Sequence, residues 1–130
     1  MNQSQILKAA ADLVAAFGTH DRTAYFASFA PHATFLFYNF DRPLVDRADY
    51  ESVWAGWEND GFRVQGCTSS NQAVIMLRDD VAVFTHTVRT HLKDGDGTIT
   101  VGERETIVFQ LIEDRWLGVH EHLSADPTYQ

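Results

Sequence analysis

The sequence predicts an α+β fold, with three helices packed on one face of a curved, mostly antiparallel sheet. Three observations lead there. Apolar residues recur at helical spacing only ahead of residue 62. From Phe62 onward they mostly alternate, as strand residues do. Short turn signals, "RDD" (78–80), "KDGDG" (93–97) and "EDR" (113–115), separate the alternating stretches and favour antiparallel connections. Helices set apart from such a sheet collect on one side of it.

Each element has its own justification. Ile6, Leu7, Ala10, Leu13, Val14 and Phe17 make one helical stripe, with Ser4 as the expected cap and Gly18 as the end. A short second helix starts at the cap Asp21, carries Tyr25, Phe26 and Phe29 on its apolar side, and is stopped by Pro31. "ATFLFYNF" (33–40) is rich in β-formers and too short for a core helix. A turn at "DRP" (41–43) leads to a third helix with Tyr50, Val53, Trp54 and Trp57 on one face. The next stretch, "FRVQGCTSSNQAVIML", is polar in its middle, so a bend or bulge is expected between Gly66 and Asn71. Three further strands follow, and "SADPTYQ" is expected to fray.

Bulk properties narrow the function. The chain of 130 residues is the size of one domain, 1–130, and its 45 % apolar content suffices for one core. Lys plus Arg number 10 against 18 Asp plus Glu, a net charge of −8. That balance speaks against nucleic acid or an anionic membrane surface as partner. The one cysteine, Cys67, excludes an internal disulfide. No run approaches the ~20 apolar residues of a membrane span, and a cytoplasmic protein is expected. No glycine-rich phosphate cradle is present, so no organic cofactor is expected.

Strand parity then picks out candidate site residues. Side chains alternate between the faces of a sheet. In "WLGVHEHLS" (116–124), Leu117, Val119, Glu121 and Leu123 share one face, opposite Trp116, Gly118, His120, His122 and Ser124. Glu105 shares a face with Ile107, Phe109 and Leu111, and His86 with Ala82, Phe84 and Val88. The apolar face should meet the helices. A two-residue turn at Gly95-Asp96 sets His86 opposite Glu105. An odd-length loop before the last strand sets Glu105 opposite Glu121. Two carboxyls on an apolar wall cannot both ionise cheaply, so one should hold a proton. This suggests general acid–base chemistry, with Glu121 at its centre and His86 and Glu105 as tuning or relay partners. Tyr25, Trp54, Trp57 and Tyr38 are candidates for the ligand walls and a hydroxyl donor. The plainer alternative pairs the glutamates with Arg42, Arg47 or Arg63 at the sheet rim.

The chain also resembles a known family. "YFASFAPHATFLF" (25–37), the Trp-bearing helix at 49–59, and "RETIVFQLIEDRWLGVHEHLS" (104–124) are similar to the NTF2-like superfamily, in its SnoaL-like and ketosteroid-isomerase-like branch. The last stretch is also similar to the end of the association domain of calcium/calmodulin-dependent kinase II. The resemblance implies a cone-shaped fold, a small-molecule pocket, and a homodimer through the outer sheet face. Arg104, Thr106, Trp116, His120 and His122 are expected on that face. No metal is expected there, although His120 and His122 have a spacing that could bind one. Two positions depart from the pattern. Phe37 stands where ketosteroid isomerases place an aspartate base, and Ile107 and Leu123 stand near the pocket arginines of the association domain. The expected function is therefore lyase, isomerase or hydrolase chemistry on a small polar or cyclic molecule, or else ligand binding or assembly without catalysis.

Overall fold

The structure is a computed structural model that describes residues 2–129. Its elements run α1 (Gln3–Gly18), α2 (Arg22–Ala27), β1 (Phe29–Phe37), α3 (Arg47–Asn59), β2 (Arg63–Arg78), β3 (Val81–Asp94), β4 (Gly97–Ile112) and β5 (Arg115–Ala125). The five strands lie in the order β1-β5-β4-β3-β2. β1 runs parallel to β5, and the other neighbours are antiparallel. The helices cover one face, as the segregation of helical and alternating patterns predicts.

Local chemistry explains the boundaries, and two differ from expectation. Asn2, not Ser4, caps α1. Its side chain accepts from the Gln5 N–H at 3.1 Å, while the Gln5 side chain accepts from the Asn2 N–H at 3.3 Å. This reciprocal box satisfies two orphan donors, which the Ser4 position cannot do because it lies inside the first turn. Helix α2 ends at Ala27, so Phe29 and Pro31 belong to β1. Pro31 is tolerated there because β1 is an edge strand and its pairing with β5 breaks between Phe29 and Thr34. Asp21 and Asp46 cap α2 and α3 by accepting from Ala24 and Asp49. Asp49 in turn takes two hydrogen bonds from Arg42, at 2.7 and 2.9 Å, which hold its carboxyl down at about 2.

His20 fastens the end of the first helix to the sheet. It adopts a left-handed backbone (φ 56°) just beyond Gly18, where an added Cβ would lie 3.2 Å from the Cys67 nitrogen. The His20 Nδ1 accepts from the Val64 N–H at 3.0 Å, so its Nε2–H donates to Glu58 at 2.8 Å. We predict that His20→Ala lowers stability by about 2 kcal/mol in urea titration, because the Val64 N–H loses its acceptor where water cannot replace it. A loss under ~0.5 kcal/mol would mean the latch contributes nothing measurable.

The core lies between helices and sheet. Trp54 is its centre, 1 % exposed and ringed by Phe17, Tyr25, Phe26 and Phe62 with centroids 5.1–6.0 Å away. Sheet residues Ala82, Phe84, Ile107 and Phe109 close it from below.

Register decides which side chains reach the site. The β3–β4 hairpin turns as expected, with His86 opposite Glu105 and Phe84 opposite Ile107. The β4–β5 connection does not have the expected odd length. It is a two-residue turn at Glu113 and Asp114, both in the left-handed region (φ 49° and 68°) that tight hairpins require. A bulge then absorbs one residue, because Phe109 pairs with Gly118 but Val108 pairs with His120. Val119 is the extra residue. Trp116 and Gly118 therefore face the helices and Leu117 and Val119 do not, the reverse of expectation, and beyond the bulge Glu121 and Leu123 return to the inner side. Glu121 ends opposite Ile107, diagonal to Glu105 rather than opposite it.

The segment after β5 is also held. Asp126 pairs with Arg89 at 2.9 Å, accepts from the Thr128 hydroxyl at 2.8 Å, and donates its N–H to Gly102. Arg89 lies over the Tyr129 ring, 4.5 Å from its centroid. The expectation of a frayed tail fails up to Tyr129, because the Asp126 carboxylate gathers Arg89, Arg104 and the Thr128 hydroxyl. Gln130 lies outside the described residues.

Candidate functional site

A cavity of about 200 Å³ opens between the concave face of the sheet and the helices. Its walls are aromatic: Phe17 from α1, Tyr25 from α2, Tyr50, Trp54 and Trp57 from α3, and Phe62 behind them. Asn39 and Ile99 stand at its exposed margin. Glu103, Glu105 and Glu121 supply its acidic wall, and no Lys, Arg or His lines it. The strand pairing orders these acids by depth: Glu103 lies nearest the hairpin tip, Glu105 next, and Glu121 deepest, beside Ile107.

Each acid has a distinct environment. Burial pushes the Glu105 carboxyl up. Hydrogen bonds from Glu121 and His86, together with the attraction of His86, more than offset this and leave it below the usual range. Its contact with His86 Nε2 is 2.6 Å. On the other side, His86 Nδ1 lies 2.6 Å from the Ser69 hydroxyl, which accepts from Gln72 at 2.9 Å. Glu121 has the opposite character. Burial first, then the charge of Glu105 and the hydrogen bond to it, hold its proton well above the ordinary glutamate value. Its Oε1 is buried and has no hydrogen-bond partner. Glu103 is raised by burial and by Glu105, partly relieved by a 2.8 Å hydrogen bond from Tyr38. The result is two neighbouring carboxyls on a largely apolar wall, one shifted to keep its proton and the other to lose it.

The structure places the sequence candidates unevenly. Glu105, Glu121, Tyr25, Trp54 and Trp57 line the cavity. His86 is buried behind Glu105 and does not line it. Tyr38 sits outside, half exposed, and touches the site only through Glu103. This corrects its expected place in the wall; its strand ends at Phe37, and the chain turns outward there. The rim alternative loses two of its arginines: Arg42 is engaged by Asp49 and Arg47 by Glu51. Trp116 leaves the outer face, since the two-residue turn at Glu113 and Asp114 sets its parity toward α1, where its Nε1 donates to Gln5 at 3.4 Å. His120 is bonded to Thr34 at 2.8 Å, and no group of three or more potential metal ligands occurs among the described residues.

Two participants escaped the sequence reading. Glu103 was legible by parity, two residues before Glu105 on the same strand. Tyr50 was seen as an apolar face residue, but its hydroxyl meets that of Tyr25 at 3.0 Å, leaving one of the two protons to donate elsewhere. Only tertiary packing joins them. Cys67 also borders the cavity, where burial lifts its thiol to about 11 and makes it a poor nucleophile.

A SnoaL-like domain model matches residues 6–129. The chain belongs to the SnoaL-like family. Its fold is shared with solved structures of low sequence identity. A Xanthomonas campestris protein described as a calcium/calmodulin dependent protein kinase II association domain is 21 % identical, with a TM-score of 0.80 over 99 % of this chain and 91 % of that one. A ketosteroid isomerase-like protein from Erwinia carotovora atroseptica is 13 % identical, with a TM-score of 0.82 over 94 % of each chain. An NTF2-like protein from Cytophaga hutchinsonii is 15 % identical, with a TM-score of 0.80 over 97 % of this chain and 100 % of that one. No curated protein sequence matches. The SnoaL-like chain thus has the NTF2-like cone, and no helix among its described residues is long and apolar enough to cross a membrane.

Proposed function

We propose that this SnoaL-like protein carries out general acid–base chemistry on a small cyclic molecule, in the cytoplasm and without an organic cofactor or metal. One observation carries the reading: Glu121 is 3 % exposed, holds a proton, and keeps Oε1 unpartnered in a cavity walled by aromatic rings. A buried polar atom left unmet costs stability unless something else meets it. Substrate oxygen or nitrogen is the natural partner. On binding, Glu121 turns its proton from Glu105 to that atom as charge develops, and Glu105, thereby freed and kept ionised by His86, accepts a proton from the adjacent centre. Such a pair serves isomerisation and elimination, and hydrolysis if a water takes the second position. Size narrows the class further. A dry cavity of ~150 Å³ takes up benzene, so this one suits a single ring with a few substituent atoms.

The test is turnover. A panel of one-ring substrates carrying acidic C–H bonds should yield an activity that Glu121→Gln cuts by at least ~100-fold, the low end of what a positioned acid contributes. An unchanged rate would remove Glu121 from the chemistry.

A second reading is favoured by the likeness to the Xanthomonas campestris protein. On it, the domain assembles into a homodimer or larger oligomer through the outer sheet face, with Arg104, Thr106, His120 and His122 in the contact, and the cavity binds a ligand without converting it. Sedimentation of Thr106→Arg tests the interface, since a charge buried against its own copy should yield monomers. A variant that sediments as wild type places the contact elsewhere.

A further inference from the structure

The cavity has a charge selectivity that goes beyond acid–base chemistry. Three glutamates line it, and no cationic side chain does. His86 lies behind Glu105 with both ring nitrogens engaged. The opposite walls are the faces and edges of Phe17, Tyr25, Tyr50, Trp54, Trp57 and Phe62. Aromatic rings facing carboxylates form a surface that attracts organic cations from both sides, through ring quadrupoles on one and full charges on the other. A carboxylate or phosphate ligand would find no cation there to balance its charge.

We infer that the ligand is a small primary or secondary amine, bound as its ammonium, with one ring against the aromatic wall. The ammonium sits at the outer two acids, Glu103 and Glu105, and the ring points inward toward Glu121, whose unmet Oε1 is left to a polar substituent on the ring. The spacing agrees: Glu103 and Glu105 are two positions apart on one face of β4, about 7 Å along the strand, so one ammonium between them reaches both carboxyls. Glu103 has a single polar partner, the Tyr38 hydroxyl, which leaves carboxylate oxygen lone pairs for the cation. The inference names the ligand class of the site proposed above. It stands on binding alone, so it survives if that site proves non-catalytic.

Its test uses three probes of one shape on the full chain at neutral pH: benzylamine, benzyl alcohol and benzoate, titrated against Trp54 and Trp57 fluorescence and by calorimetry. Benzylamine should bind at least ten-fold tighter than benzyl alcohol, and benzoate weakest of the three. Glu103→Gln, which keeps an acceptor for Tyr38, should remove most of the amine's advantage and leave benzyl alcohol unchanged. Equal binding of amine and alcohol, tighter binding of benzoate, no measurable binding of benzylamine, or an amine advantage that persists in Glu103→Gln would each overturn the inference. Loss of turnover in Glu121→Gln bears on the chemistry and not on this charge preference.

Discussion

Gly118→Val is expected to destabilise the protein by about 3 kcal/mol, the upper range for forcing atoms into a packed core. The reason is the register of β5. The two-residue turn before it sets Gly118 inward under the ring of Phe29, where an added Cβ would lie 2.7 Å from Cδ1 and 2.9 Å from Cε1. Neither side can yield. Phe29 is fully buried and braced by Phe35 and Tyr25, with centroids at 5.0 and 5.4 Å. The methyl of Ile107 waits 3.4 Å away on the next strand. Gly118→Ala should follow in the same direction with a smaller loss, so the two variants form a graded series. Urea unfolding measures both. If Gly118→Val stays within ~0.5 kcal/mol of the parent, the register and its inward glycine are misplaced.

Glu121→Gln is expected to stabilise the protein progressively as pH rises. The sign follows from which state holds the proton. Above about 4.5 the unfolded chain has released it, while burial and Glu105 make the folded protein keep it. The folded state therefore binds one more proton, and its stability falls by about 1.4 kcal/mol per pH unit through that window. Glutamine removes the titration and still offers an N–H to Glu105, as the protonated acid does. As pH rises above the ordinary glutamate range the variant should gain steadily on the parent. Glu105 acts in the opposite sense. Its lowered value gives a contribution present above the ordinary glutamate range and lost only as pH falls below it, outside this window. Parallel stability–pH curves for parent and variant would show that Glu121 is ionised in the folded protein.

The contrast between His86 and Trp116 shows how far the sequence could be read. His86 opposite Glu105 was legible because a Gly-Asp hairpin tip leaves one register that buries Phe84 and Ile107 together. The fold class followed from the same alternation, and the family followed from stretches that span most of the elements. The last strand was harder. Nothing local in "WLGVHEHLS" signals that Val119 is surplus. The bulge exists because a tight left-handed turn sets one parity and the burial of Glu121 and Leu123 needs the other. That conflict is visible only once Phe29 lies across Gly118. Tyr38 was misjudged for a similar reason, since alternation carries no information about where a strand stops. The Tyr25–Tyr50 hydroxyl pair joins two helices that no periodicity connects.

The breaks in β2 have a use apart from the site. This strand is 16 residues long and forms an open margin of the sheet, with Ile75 and Leu77 more than half exposed. A straight ribbon of that length would be a template for another chain's strand, and from there for fibrils. Its ladder instead shifts at Val64/Gly66, Ser70/Ala73 and Met76/Arg78, and Asn71 takes a left-handed backbone (φ 53°). A docking strand would lose its hydrogen-bond phase every few residues. Irregularity at this edge works against such pairing beside bare isoleucine and leucine, and smoothing it by deleting Asn71 would leave a longer, stickier seam.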